Sequence, residues 1–370
     1  MPVLDRSFAI REASVRTVVV TLPLFAACTV SNSPEGLAPS PASSAERAGD
    51  VVARNLLPRR YSITELPTAI GQSVASRAIC ARRAAIGARN VDSINVERAI
   101  VLDANGVTQL GTLGGASSHG RAGNAGGLLV GRSATAVPGE NHAFLVRDGL
   151  MTDLGTLGGA FSDAFAINNS DQIVGQSTLI TGGDVPSHAA LWEGCDPIDL
   201  GTLGGPESFA RDINDDGVIV GTSSKAEEAF RAHAVAWRAR VIEELPANGA
   251  LHSQAVAINA GGTIAGFLTY GAGSPYHAVI WRDGAMIDLG SSAQALGLND
   301  RGDVVGHLMD AGGAHAFLYT NGEMLQLQLL VDNATGWTLT QANDVCDDGR
   351  IVGNGTFNGS QRGFVLTPVP

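Results

Sequence analysis

The sequence predicts an all-β protein, a seven-bladed β-propeller of four-stranded blades in which an N-terminal strand completes the last blade and closes the ring. Three repeated marks predict it. LGTLGG occurs at Leu110–Gly115, Leu154–Gly159 and Leu200–Gly205. An aliphatic pair followed by Gly recurs at Gly87, Gly131, Gly175, Gly221, Gly266, Gly306 and Gly353, with spacings of 44, 44, 46, 45, 40 and 47 residues. His-Ala before apolar residues follows 9 to 13 residues later, at His142, His188, His233, His277 and His315. Four short strands in ~45 residues is the size of a propeller blade.

The chain begins outside that pattern. Arg6, Arg11 and Arg16 precede the apolar run Val18–Ala27, which ends at Cys28. A basic start, a short apolar stretch and small residues at its end describe a secretory signal over residues 1–28. The run is too short to cross ~30 Å of hydrocarbon as a helix. Ala26 and Ala27 before Cys28 look like a lipobox, which would make Cys28 the site of lipidation and the mature N-terminus. Ordinary signal cleavage is the alternative. Thr29 follows, with no Asp retention signal, so the outer membrane is the expected location, with the lipid anchor as the only membrane contact. Residues 29–55 are rich in Ser, Pro, Ala and Gly and cannot bury enough apolar surface to offset their ordering entropy, so they read as a disordered tether.

Residues 56–370 hold the repeats. In each unit the first strand runs into Ile-Asn, as in Ser162–Asn168, and a turn such as Asn214–Gly217 leads to the second, Val218–Gly221. A variable loop precedes the third, such as His188–Trp192, and a tight turn such as Arg282–Gly284 leads to the fourth, Met286–Leu289. Apolar runs bounded by Gly, Asn and Asp are the signature of strands and hairpins. Tyr61–Leu66 matches a fourth strand and precedes the first full unit, whereas the last unit ends on its third strand, Gly363–Leu366. Each orphan completes the other, which removes open sheet edges. Ser76, Gly120, Ala164, Ala210, Ala255, Ala295 and Ala342 keep the first strands small where a tapered interior crowds them.

The His-Ala-Phe triplets His142–Phe144 and His315–Phe317, with LGTLGG, Ile-Asn-x-x-Gly-x-Ile-Val-Gly and the closing stretch Trp337–Pro368, resemble the HAF-repeat family of extracellular proteins. The resemblance covers roughly residues 61–370 and implies a secreted, repeat-built protein with no assigned activity. Arg98 and Arg362 stand where His is expected in the first and last units, so His is not needed for a unit to fold.

The formal charge of −12, without a basic stripe, argues against nucleic acid as a partner. Five His spread around a ring cannot converge on one metal, so a strand-opening His bonded to neighbouring backbone is expected, and no metal site. Asp215-Asp216-Gly217 and Asp347-Asp348-Gly349 lack the spacing of a calcium loop and read as turns. No cofactor is implied, since LGTLGG lacks the Lys of a phosphate loop and no hydrolase or zinc-protease motif occurs. Cys80 and Cys346 replace the Asn that ends the first strand in the first and seventh units, which a closed ring makes neighbours. A disulfide there would need Cα atoms within ~7 Å, and two buried thiols are the alternative.

Variable second-to-third loops share a face with the fourth-to-first connections, and ligands favour variable loops on a rigid scaffold. Near that face His119, Asp163, Gln254, Gln294 and Gln341 occupy equivalent positions, with Arg77, Arg121 and Arg211 two residues further in. His119, Arg121, Asp163, Arg211, Gln254 and Gln294 are therefore the candidate ligand-binding residues. Their mixed charge suits a neutral or weakly anionic glycan or protein ligand. No residue qualifies as catalytic by motif. The expected function is a monomeric surface binding or scaffold protein; the alternative is a propeller hydrolase or lyase acting on extracellular glycans or lactones, which would need a carboxylate pair or a His–Asp pair converging in the channel.

Overall fold

The computed structural model describes residues 60–66, 74–78, 85–90, 96–103, 106–179, 186–194 and 196–369, with backbone only for 74–78, 85–90, 103, 229 and 230. Every described residue belongs to one compact unit within residues 45–370. The signal-like segment, Cys28 and the tether lie outside the described residues, as do Cys80 and Cys195.

The described residues form strands throughout, apart from one short 3₁₀ turn, Leu327–Leu330. β1 is Tyr61–Glu65; β2 Val74–Ala78, β3 Ala85–Asn90, β4 Glu97–Asp103 and β5 Gly106–Gln109 form one sheet. β6 Gly114–Gly123, β7 Leu129–Thr135, β8 Asn141–Arg147 and β9 Leu150–Asp153 pair in sequence. So do β10 Gly158–Ile167, β11 Ile173–Leu179, β12 Ser187–Trp192 and β13 Pro197–Asp199. A parallel bridge between Phe161 and Asn141 joins these two sets into one eight-stranded sheet. The next sheets are β14 Gly204–Ile213 to β17 Val241–Glu244, through β15 Ile219–Lys225 and β16 Glu228–Arg238, and β18 His252–Ile258, β19 Ile264–Thr269, β20 His277–Arg282 and β21 Ala285–Ser291. β22 Ala293–Leu298, β23 Val304–Asp310, β24 Gly313–Thr320 and β25 Glu323–Gln326 make another. The last holds β26 Trp337–Val345, β27 Ile351–Phe357 and β28 Ser360–Pro368, with β1 at its edge.

β1 runs antiparallel to β28, from Tyr61 opposite Pro368 to Glu65 opposite Phe364. Tyr61 is fully buried, Leu66 N–H donates to Gly363 O at 2.9 Å, and Glu65 pairs with Arg362 at 2.9 Å. On the other side of that sheet β2 lies against β26, β27 and β28.

Every unit repeats one irregularity. The register of the first strand shifts between Ser76 and Ala78, Gly120 and Ala122, Ala164 and Ala166, Ala210 and Asp212, Ala255 and Ala257, Ala295 and Gly297, and Ala342 and Asp344. Each shift is a β-bulge that leaves one residue unpaired and re-aims it. The bulge also explains the Gly mark of the second strand. A methyl group on Gly131, Gly175, Gly221, Gly266, Gly306 or Gly353 would overlap the carbonyl oxygen of His119, Asp163, Phe209, Gln254, Gln294 or Gln341. Only a residue without Cβ lets the two strands pair there.

LGTLGG braces successive units rather than cradling a phosphate. Leu113, Leu157 and Leu203 N–H groups donate to Ser133, Ser177 and Ser223 hydroxyls at 2.8, 2.7 and 2.9 Å. Buried Ser118, Ser162 and Ser208 hydroxyls donate to Gly111, Gly155 and Gly201 carbonyls, each at 2.6 Å.

The Asn ending the first strand serves two units at once. Oδ1 of Asn124, Asn168, Asn214, Asn259 and Asn299 accepts from its own turn, at Leu128, Gln172, Val218, Thr263 and Asp303 N–H. Nδ2 donates onward to the equivalent carbonyl of the next unit: Asn168, Asn214, Asn259, Asn299 and Cys346 O, at 3.0–3.2 Å. An amide has the donor and acceptor this requires. The ladder ends at Cys346, a buried and disulfide-bonded residue packed with Leu66, Ile100 and Val352.

Candidate functional site

The bulged residues converge. Arg121, Phe165, Arg211, Val256, Leu296 and Asn343, from six first strands, line one cavity of about 600 Å³ together with the turns that follow those strands. The cavity therefore opens among the short first-to-second turns, where Asn124, Asp215, Ala260 and Asp347 rim it. The expectation placed the ligand at the variable-loop face. Bulge placement near the far end of each first strand moves the cavity to the opposite face.

Of the six expected residues, Arg121 and Arg211 line this cavity. Asp163 is buried and clamps Arg121, accepting from Nη2 at 2.7 Å and Nε at 3.3 Å, with Arg132 at 3.7 Å. It holds Arg121, which lines the cavity, and does not line the cavity itself. His119 pairs with Glu97 at 2.8 Å instead of meeting Asp163. Gln254 lines a separate pocket, and Gln294 lies opposite His307 in β23. Burial lowers the His307 pKa, and its Nδ1 has no partner among the described residues.

Arg121 and Arg211 flank one aromatic ring. Their guanidinium carbons stand 5.4 and 5.0 Å from the Phe165 centroid, and Arg211 also lies 5.6 Å from that of Phe209. Stacking on aromatic faces holds each guanidinium plane in position. The neighbouring arc of the cavity, Val256 and Leu296, is apolar.

One residue past the bulge stand two carboxylates that sequence reasoning missed. Five units have Ala78, Ala122, Ala166, Ala257 or Gly297 there, and two have Asp212 and Asp344. The signal was two acids among otherwise small residues. Both line the cavity. Asp212 Oδ1 accepts from Ile213 N–H at 2.9 Å and Oδ2 from Ile258 N–H at 2.8 Å, which ties β14 to β18. Burial, opposed by these two bonds and aided by the charge of Asp344, pushes the Asp212 pKa up to about 7.

A carboxyl whose folded pKa lies above its unfolded value stabilises the folded state below the unfolded value, and that stability is lost as pH rises through about 7. A shift of this size is worth ~4 kcal/mol at ~1.4 kcal/mol per unit, and contact with cavity water reduces it to about 2 kcal/mol. From pH 4.5 to pH 8 the unfolding free energy measured by urea titration should therefore fall by about 2 kcal/mol more in the wild type than in Asp212→Asn.

The strand-opening His also differ from expectation. Their partners are carboxylates rather than backbone: His142 with Asp153 (2.8 Å), His188 with Asp199 (2.9 Å), His277 with Asp288 (2.8 Å), and His233 with Glu244 (3.0 Å) and Glu228 (2.9 Å). His315 uses Asp310 at 3.0 Å. The signal was an acid eleven residues after the His, on the fourth strand. Asp215 and Asp347 accept backbone N–H bonds from Asn169 and Asp300, both at 2.8 Å, as turn residues do. Among the described residues no group of three or more metal-ligating side chains converges.

No family model matches the chain, and no curated protein is similar to it in sequence. Solved structures resemble it in fold. The β-propeller domain of the Trilobed protease from Pyrococcus furiosus is 15% identical with a TM-score of 0.51, covering 69% of this chain and 81% of that one. The acylaminoacyl peptidase of Pyrococcus horikoshii is 11% identical, TM-score 0.51, with 79% and 52% covered. A puromycin-hydrolyzing peptidase of Mycobacterium tuberculosis is 12% identical, TM-score 0.51, with 82% and 53% covered. The chain spans about half the length of these two peptidases. At such identities the likeness shows the fold alone: the protein has a β-propeller fold.

Proposed function

We propose that this is an exported seven-bladed propeller of the HAF-repeat type, closed by β1 and by a Cys80–Cys346 disulfide, that serves as a binding or scaffold protein at the outer membrane. The pairing of β1 with β28 and the disulfide-bonded state of Cys346 support the closure. Its ligand site is the bulge-lined cavity. One observation carries that reading: the repeat keeps its Gly, Asn and Ser scaffold from unit to unit and varies the side chains that the bulges send inward. A uniform frame presenting unlike side chains to one cavity is a recognition surface.

The cationic, aromatic arc of Arg121, Phe165 and Arg211 beside apolar Val256 and Leu296 fits a carboxylate carried on a partly apolar body. An acidic sugar and a peptide carboxylate share that chemistry. Calorimetric titration with glucuronate and with N-acetyl-leucine separates the two sources. Arg211→Ala should weaken the bound probe at least ~10-fold, about 1.4 kcal/mol, the cost of losing one charge-assisted contact. Binding of neither probe, or binding indifferent to Arg211→Ala, refutes the site.

The enzymatic reading has one supporting observation, the carboxylate pair Asp212 and Asp344 in a single cavity with one pKa near neutrality. Perturbed carboxyls in a cleft are candidates for acid–base work. Both Asp212 oxygens are occupied by backbone N–H groups, which favours a brace between strands over a proton donor.

A further inference from the structure

We infer that the fifth unit carries a second binding site, on the variable-loop face, that takes a single neutral sugar ring. The site is a pocket of about 150 Å³ lined by His252, Ser253, Gln254, Phe267 and Tyr276. It lies apart from the bulge-lined cavity, and none of its residues belongs to that cavity.

The sheet dictates the arrangement. His252 and Gln254 are two apart on β18, so they share one face, and Phe267 on β19 lies directly opposite Gln254. Tyr276 meets the Phe267 ring edge-on at 5.3 Å and 82°. Tyr270, from the same loop, stands edge-on to His277 at 5.4 Å and 85°. The loop between them is pinned: Ser274 N–H donates to Gly271 O at 3.1 Å, and the Thr269 hydroxyl reaches Gly271 and Ser274 carbonyls, both at 3.2 Å.

Two observations identify the ligand chemistry. First, the chain has only four tyrosines, and two of them sit on this loop, 45% and 44% exposed. Rigid tyrosines kept in water by a pinned loop are binding surface more often than packing. Second, the pocket keeps polar groups that are not used up by the fold, although the Ser253 hydroxyl accepts from Ala234 N–H at 2.9 Å. Ala232 N–H donates to His252 Nδ1 at 3.3 Å, so Nε2 is the ring nitrogen left for a ligand. The Gln254 amide, a donor and an acceptor on one side chain, makes no hydrogen bond among the described residues. No charged side chain lines the pocket. An aromatic wall for the apolar face of a ring, with neutral donors and an acceptor for hydroxyls, is the recognition chemistry of an uncharged sugar, and the volume admits one ring.

The test uses the full exported protein and four probes: methyl glucoside, methyl galactoside, methyl mannoside and N-acetylglucosamine. Saturation-transfer NMR and calorimetry should find at least one bound with Kd on the order of 1 mM, as befits one ring in a small pocket. Tyr276→Ala should weaken it at least ~10-fold, Tyr276→Phe should preserve it, and Gln254→Ala should weaken it several-fold. Arg211→Ala should leave it unchanged, so failure here and failure of the cavity reading are separate results. No binding of any probe at about 50 mM overturns the inference. So does binding that survives Tyr276→Ala, or that Arg211→Ala abolishes. Circular dichroism confirms that each variant is folded.

Discussion

Gly221→Ala should destabilise the protein by about 3 kcal/mol or more, enough to remove most folded chain at 37 °C. The reason is geometric rather than conformational. Gly221 lies in β15, opposite the bulge of β14, and its φ is an ordinary negative one. An added Cβ would overlap the Phe209 carbonyl oxygen and approach Ala210 Cα at 3.1 Å. Both are backbone atoms of a strand whose bulge is fixed on its other side by the next unit, so neither can swing away. Relief would require flattening the bulge, which would withdraw Arg211 from the cavity. The control is Gly261→Ala in the turn after β18, where the nearest atom to a new Cβ is Asn259 Oδ1 at 3.5 Å. That change should be neutral or slightly stabilising, because it removes freedom from the unfolded chain. Urea midpoints of the two variants measure the difference.

Opening the proposed seam should cost about 5 to 6 kcal/mol, the chain-entropy value for a cross-link that closes a loop over most of the domain. Around the units the Asn ladder passes from Asn124 to Cys346, and there a side-chain amide is replaced by a disulfide-bonded Cys. In the ladder one side chain bridges equivalent positions of adjacent units, which is close enough for a covalent bridge between Cys residues at the same positions. Cys80 holds that position in the first unit, two residues beyond the end of β2, and β2 packs on β26 to β28. Cys346→Ser or reduction should therefore lower the unfolding free energy measured in urea by that amount, and non-reducing peptide mapping should recover a Cys80–Cys346 peptide. A Cys346 linked to Cys195 or Cys28 would remove the seam.

What was legible in the sequence is what repeats. The Gly of the second strand, LGTLGG, the Asn turn and the orphan strand Tyr61–Leu66 recur or complement one another, so each could be found before its mechanism was known. The bulge itself was invisible, because a register shift adds no residue type, although it is the cause of the Gly mark. Arg121 and Arg211 were legible as unlike residues at one register. The clamp of Asp163 on Arg121 crosses units and could not be read from either alone. Asp212 and Asp344 were overlooked because they replace small residues in only two units, a departure that looks like noise until both are seen in one cavity. The loop-face expectation gathered Gln254 with the channel residues, whereas Gln254 lines a separate pocket. Side chains two apart on a strand share a face, and a bulge between Gln254 and the cavity separates them.

The central claim is recognition without turnover in the bulge-lined cavity. The most direct measurement is mass spectrometry of the equilibrated calorimetry mixtures, with glucuronate-containing oligosaccharides, N-acetylated peptides and simple lactones incubated with the wild type and with Asp212→Asn. The account predicts Arg211-dependent binding with every ligand recovered intact. New products that appear with the wild type and vanish with Asp212→Asn would contradict it and make the cavity an active site.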